Sequence, residues 1–173
     1  VYNQVVTVNG VSKAFAMTGW RLGYIGAPEW IAKACTKIQG QFTSGASSIS
    51  QRAALAAISA DPSVVGEMKD AFLERRNFII EKLRAISGIK INQPEGAFYV
   101  FPDVSDFFGK VIGDRKIENA DDLCLYLLEE AKVALVTGNA FGSPACLRIS
   151  YAASMDELKE AMLRISKALN NLS

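Results

Sequence analysis

At 173 residues, half of them hydrophobic, the chain holds enough apolar material for one substantial core or two small ones, and nothing in its composition points to disorder. Nineteen Lys and Arg against eighteen Asp and Glu leave almost no net charge, which removes the electrostatic case for nucleic acid, since a phosphate backbone calls for a basic surface. Histidine is absent, so the chain carries no Ser-His-Asp or Cys-His triad, no HExxH zinc site and no imidazole shuttle, and proton transfer falls to lysine, a carboxylate, tyrosine or cysteine.

In chain order, Val5 to Val8 is β-branched and apolar, and Leu22 to Ile25 resumes the same pattern, which predicts strand, tight loop, strand. Gly10 and Gly19 bracket the loop. Lys13 lies at its start and Arg21 eight residues later, so the spacing brings two cations toward one pocket. Pro28 opens a helix with apolar positions Trp30, Ile31, Ala34, Cys35 and Ile38, and Gly40 to Gly45 reads as a loop. The alanine-rich stretch from Ile49 to Ser59 is apolar on nearly every face, the pattern of a helix buried on several sides or lying in a subunit interface. Asp61-Pro62 gives an N-cap with proline at the first helical position, and only Gly66 interrupts the helix that follows as far as Ile86. At about 1.5 Å per residue it would span roughly 35 Å, the rod between two domains.

Beyond a Gly88 stop, Ile89 to Ile91 and Ala97 to Phe101 are strand-like around a Pro94-Glu95-Gly96 turn. Phe107 to Lys116 reads as a loop, Asp121 to Lys132 as a helix, Val133 to Val136 as a short buried strand and Gly138 to Pro144 as a turn. From Cys146 to Ala152 the alternation sends Leu147, Ile149 and Tyr151 one way and Cys146, Arg148 and Ser150 the other. Ser154 and Glu157 form a capping box for a last helix whose inward stripe is Leu158, Ala161, Met162, Ile165 and Leu169. The order suits an α/β or α+β protein with a two-layer carboxy-terminal domain.

Cys35, Cys124 and Cys146 are odd in number, widely spaced and set in apolar segments, which favours buried free thiols in a reducing compartment over a disulfide or a metal site. No signal peptide and no membrane-spanning run are evident, so the expectation is a soluble, cytoplasmic protein with no membrane partner and no metal.

A lysine amine is a nucleophile only when neutral, and burial and neighbouring cations are what lower its pKa. Lys13, in an apolar strand-loop context with Arg21 near, has that setting; the alternative is an ordinary solvated loop lysine. Arg21 between Gly19 and Gly23 suits a phosphate oxygen, with a surface salt bridge as the commoner fate of an arginine. Arg148, on a strand between apolar neighbours, is either an edge-strand charge or a buried clamp for a carboxylate.

Four blocks carry a resemblance to a known family: Ser12-Lys13 with Met17-Thr18-Gly19-Trp20-Arg21-Leu22-Gly23-Tyr24; Pro94 to Tyr99; Gly138-Asn139-Ala140-Phe141-Gly142; and Leu147-Arg148-Ile149-Ser150-Tyr151-Ala152. In this order and spacing the chain resembles the class I aminotransferases, pyridoxal 5'-phosphate enzymes of fold type I, over essentially its whole length, and most closely the gamma subgroup with the prokaryotic aspartate aminotransferases. The resemblance implies an α/β fold: residues 1–74 as the end of the cofactor-binding major domain and 75–173 as a two-layer α+β minor domain, with the boundary inside the helix 62–86. It implies that Lys13 is the Schiff-base lysine and proton-transfer base, that Arg21 grips the cofactor phosphate and that Arg148 binds the substrate α-carboxylate. Asn139, Phe141 and Ala97 to Tyr99 read as structural. Gly10 stands where some members have a phosphate-binding serine, and Thr137 where the subgroup often has proline.

The cofactor lysine of that family lies past the middle of the polypeptide, and this chain opens at Val1, so it is expected to be a carboxy-terminal piece. The groups that pair with the cofactor ring lie upstream in the family, which implies that these residues alone are inactive and bind cofactor weakly or not at all. The substrates implied are an L-amino acid, with aspartate favoured, and a 2-oxo acid, with 2-oxoglutarate favoured, in a homodimer. A lyase of the same superfamily, or a non-catalytic folding and association domain, are the alternatives.

Overall fold

The computed structural model describes residues 2–173. Two compact units divide the chain, one ending at Glu67 and the other running from Met68 to Ser173.

In the first unit, β1 (Thr7–Gly10) and β2 (Gly23–Gly26) form an antiparallel hairpin with Gly10 opposite Gly23. The expected strand–loop–strand is present, shifted by two residues in β1 and one in β2 toward the carboxy terminus. A β-carbon on Gly23 would stand 3.2 Å from the Asn9 carbonyl oxygen and one on Gly10 3.4 Å from that of Leu22, so glycine at both positions lets the closing pair approach. Helix α1 (Glu29–Phe42) follows Pro28 and runs through Gly40, where a loop is expected, because an isolated glycine is only a mild helix penalty. Helix α2 (Ser48–Ser59) buries only Ser50 and Ala54.

Of the two settings expected for the alanine-rich helix, burial on several sides within this chain is not found, and the apolar positions of α1 are open as well. Trp30 is 70 % exposed, Phe42 83 % and Ile49 71 %, and among the described residues of this unit only Val11, Pro28, Ser50 and Ala54 are buried. Helical periodicity reports a face that is apolar, not a surface that covers it. Cys35 on α1 is likewise exposed rather than buried.

Asp61 caps as expected, accepting from the Ser63 N–H at 2.8 Å, with Pro62 at the first position. The turn that follows, Pro62–Val65, is a 3-10 helix, and the α-helix proper, α3 (Gly66–Arg84), begins at Gly66 and spans about 28 Å. It ends two residues earlier than its pattern suggests, where the Ile86 N–H turns back to the Leu83 carbonyl.

The second unit is a two-layer α+β structure. Its sheet is antiparallel in the order β3 (Tyr99–Val100), β7 (Leu147–Ser150), β6 (Val136–Thr137). A separate small hairpin joins β4 (Val111–Ile112) to β5 (Arg115–Lys116) around Gly113, at φ +55°, and Asp114, where the sequence reads as loop. Before the sheet, Ile89 to Ile91 contributes only one bridge, Lys90 to Asp103. Helices α4 (Ala120–Glu130) and α5 (Met155–Asn170) complete the unit. Asn119 caps α4, and the expected capping box opens α5, with Ser154 N–H to Glu157 at 3.0 Å and Glu157 N–H to Ser154 at 3.2 Å.

One core fills the space between sheet and helices. Val100, Leu147 and Ile149 face Ile79, Ile80 and Leu83 of α3, Leu123 and Leu127 of α4, and Leu158, Met162, Ile165 and Leu169 of α5. Two tyrosines are buried with them, and each donates its hydroxyl to a backbone carbonyl: Tyr126 to Ala168 at 2.9 Å and Tyr151 to Ala97 at 3.1 Å. Val136, expected to be buried, lies on the open side of the sheet. It pairs with Arg148, and paired residues share a face, so it stands on the outer face with Arg148, opposite Leu147 and Ile149, despite its own hydrophobicity.

Candidate active site

Lys13 and Arg21 lie in the single connection between β1 and β2. The connection is held by its own backbone: the Phe15 N–H reaches the Val11 carbonyl at 3.3 Å and the Met17 N–H that of Ser12 at 3.0 Å. A 3-10 turn, Thr18–Trp20, then ends on Arg21. Ala16 (φ 53°) and Arg21 (φ 50°) both occupy the left-handed region, a cost of order 1–2 kcal/mol for a residue with a β-carbon, so two strained residues sit in one loop. The Arg21 guanidinium donates through Nη1 to the Thr18 carbonyl at 3.0 Å, which fixes its orientation. A β-carbon on Gly19 would meet nothing within 4 Å, so the close approach expected there is not required by these residues.

Lys13 and Arg21 are both exposed, whereas the apolar context of the sequence leads one to expect an enclosed lysine. The neighbours that make the segment apolar, Val8 and Ile25, are themselves exposed, so apolar sequence context here does not amount to an enclosure.

Arg148 stands on the second unit. It lies on β7 between buried Leu147 and Ile149 and projects from the opposite face of the sheet, as the alternation requires. It is partly buried, and its partners are aromatic: its guanidinium carbon is 4.7 Å from the Phe141 ring centre and 5.5 Å from that of Tyr99. Among the described residues no carboxylate pairs with it. Phe141 and Tyr99 read as structural in the sequence. Their place beside Arg148 was signalled only by their lying within two of the motif blocks.

Phe141 is delivered by the 3-10 turn Gly138–Phe141. Thr137 caps that turn, its hydroxyl accepting from the Asn139 N–H at 3.2 Å, so the residue standing in place of a proline has a definite task. Asn139 donates to Asp121 of α4 at 2.8 Å, the structural part expected of it.

The model of the family "Aminotransferase class I and II" matches residues 1–165. This chain belongs to that family. It is 53 % identical over 173 residues to the bifunctional aspartate aminotransferase and glutamate/aspartate-prephenate aminotransferase of Petunia hybrida, covering 98 % of this chain and 36 % of that protein. An aspartate aminotransferase of Rhizobium meliloti (strain 1021) is 48 % identical over 172 residues, covering 99 % of this chain and 42 % of that protein. The crystal structure of the aspartate aminotransferase from Rhizobium meliloti superposes with a TM-score of 0.96 at 47 % identity, covering 99 % of this chain and 43 % of the other. An aromatic aminotransferase from Pyrococcus horikoshii OT3 gives 0.87 at 36 % identity, covering 98 % and 44 %.

This aminotransferase chain therefore spans about two fifths of the length of such relatives. Its fold is that of the pyridoxal-phosphate-dependent, fold type I transferases, and the family depends on that cofactor. The donor set fits such a group: an amine and a guanidinium on one loop that carries its own hydrogen bonds, at a hairpin end narrowed by paired glycines. Among the described residues no helix is long and apolar enough to cross a membrane.

Proposed function

We propose that this chain contributes the lysine and two arginines of an aminotransferase that moves an amino group between an L-amino acid, aspartate in the first instance, and a 2-oxo acid such as 2-oxoglutarate. The observation that carries the reading is the strained, self-bonded loop bearing Lys13 and Arg21, in a chain of this family. The relatives' names support the choice of aspartate.

Arg21 supplies the forked donors for the cofactor phosphate. When bound, pyridoxal phosphate supplies the electron sink that stabilises negative charge at the substrate α-carbon. Lys13, as a neutral amine, takes the proton from that carbon and returns one. Arg148 holds the substrate α-carboxylate through a bidentate pair and so orients the Cα–H bond. Lys13 is exposed here, and residues outside this chain would complete its enclosure. The same holds for the exposed Ile49, Leu55 and Ile58 of α2, which supports a homodimer or further chain covering that face. The first unit then belongs to the major domain and the second to the minor one, and three free cysteines accord with a cytoplasmic setting.

Borohydride reduction in the presence of pyridoxal phosphate, followed by mass spectrometry, tests the reading. Selective labelling of Lys13 that is lost in Arg21→Ala is the expected result. Labelling scattered over many lysines in the intact protein would overturn it. Release of alanine and carbon dioxide from aspartate with no glutamate formed, or of pyruvate, ammonia and a thiol from a cysteine thioether, would move the reading to a lyase of the same superfamily.

A further inference from the structure

Arg148 is held by rings as well as by its strand. Tyr99 is the register partner of Ser150, and Ser150 shares a face with Arg148, so Tyr99 and Arg148 are diagonal neighbours on the outer face of the sheet. Phe141 reaches the same guanidinium from the turn that precedes β7. Each ring is itself buttressed edge-on: Phe101 meets Phe141 at 6.0 Å and 89°, and Phe98 meets Tyr99 at 5.6 Å and 89°.

We propose that Tyr99 and Phe141 are positioning residues: they hold the Arg148 guanidinium by its π-faces and leave its N–H edge for a substrate carboxylate. The proposal rests on the reading of Arg148 as the carboxylate anchor. The physical reason is that a guanidinium is attracted to ring faces through its flat surface, whereas its donors all point outward in its plane. Rings 4.7 and 5.5 Å from the guanidinium carbon are near enough to take up the directions that carry no donor. They also reduce the rotamer freedom that a long side chain loses on gripping a ligand. Phe141 is 50 % exposed and Tyr99 36 %, so neither is part of the buried core, and a purely packing role is small for both.

The test uses the intact protein, with and without cofactor, and succinate as a carboxylate that cannot be transaminated. Calorimetry should show succinate binding weakened about three- to tenfold in both forms by Phe141→Leu and by Tyr99→Leu, the range expected for one cation–π contact. Tyr99→Phe and Phe141→Trp keep a ring and should stay within about twofold of the parent. In turnover, the leucine variants should raise KM for the amino acid while kcat stays within about twofold, the mark of lost uniform binding. Leucine variants that bind succinate like the parent, while Arg148→Ala loses about a hundredfold, would overturn the ring proposal and leave the anchor standing. Undiminished binding in Arg148→Ala would overturn the anchor itself, and the ring proposal with it. Should Phe141→Leu fail to fold, Tyr99→Leu set against Tyr99→Phe decides the matter.

Discussion

Gly138 is the position where one added methyl group should do most damage. It is buried at the start of the turn that carries Phe141, and a β-carbon built on it would lie 2.0 Å from the Ser143 carbonyl oxygen and 2.5 Å from that of Cys146. To reach ordinary contact near 3.4 Å, the Ser143 oxygen must retreat by about 1.4 Å. That oxygen accepts from the Cys146 N–H at 3.1 Å, and the Cys146 oxygen accepts from Gly138 itself at 2.7 Å, so relief breaks or stretches both bonds. Overpacking of about 1–3 kcal/mol and two backbone hydrogen bonds at about 1 kcal/mol each put the cost of Gly138→Ala at roughly 3–5 kcal/mol. The control is Gly142→Ala, where φ is +73° and nothing lies within 4 Å, so only the backbone cost of about 1–2 kcal/mol applies. Urea unfolding of the two variants beside the parent reads the difference directly. Equal losses in the two would refute the steric reasoning, since then the carbonyls move freely and the turn is not the rigid mount for Phe141 described here.

Tyr126→Phe removes the donor that reaches the Ala168 carbonyl at 2.9 Å in the core, and should cost about 1 kcal/mol in denaturant unfolding with the fold unchanged by circular dichroism. Asp103 accepts from Ser105, whose hydroxyl and N–H hold its carboxyl below the usual carboxylate value. Its native pKa lies below the unfolded value near 3.9, so its contribution is complete above that value and lost as pH falls through the lowered one. The acid limb of a stability profile should therefore flatten in Asp103→Asn. Burial, helped by the charge of Asp121, pushes the Cys124 thiol up to about 11, so about one molecule in a thousand is thiolate at pH 8. Iodoacetamide should modify Cys124 slowly at pH 8, at a rate still climbing at pH 10; a plateau by pH 9 would contradict the burial.

Much of this was legible residue by residue. Asp61-Pro62 and the Ser154–Glu157 box announce helix starts because a cap is a local hydrogen bond. The burial of Leu147, Ile149 and Tyr151 follows from a period of two, as the buried Leu158, Met162, Ile165 and Leu169 follow from a helical one. The β4–β5 hairpin reads as loop: Gly113-Asp114 is a two-residue turn signal, but with only two residues on each side its strands show no alternation to mark them. Strands β3 and β6 are equally short, and each exists as a strand because β7 lies beside it.

By itself, then, the sequence determined the family, through four blocks in order, and the loop that carries Lys13 and Arg21, because a hairpin closed on glycines is a local matter. Only the tertiary structure decided that Arg148 lies beside Tyr99 and Phe141 and that Lys13 is exposed. A ring brought from some fifty residues away leaves no periodicity in the strand it joins. Desolvation belongs to whatever surrounds a side chain, and apolar neighbours along the chain do not ensure it.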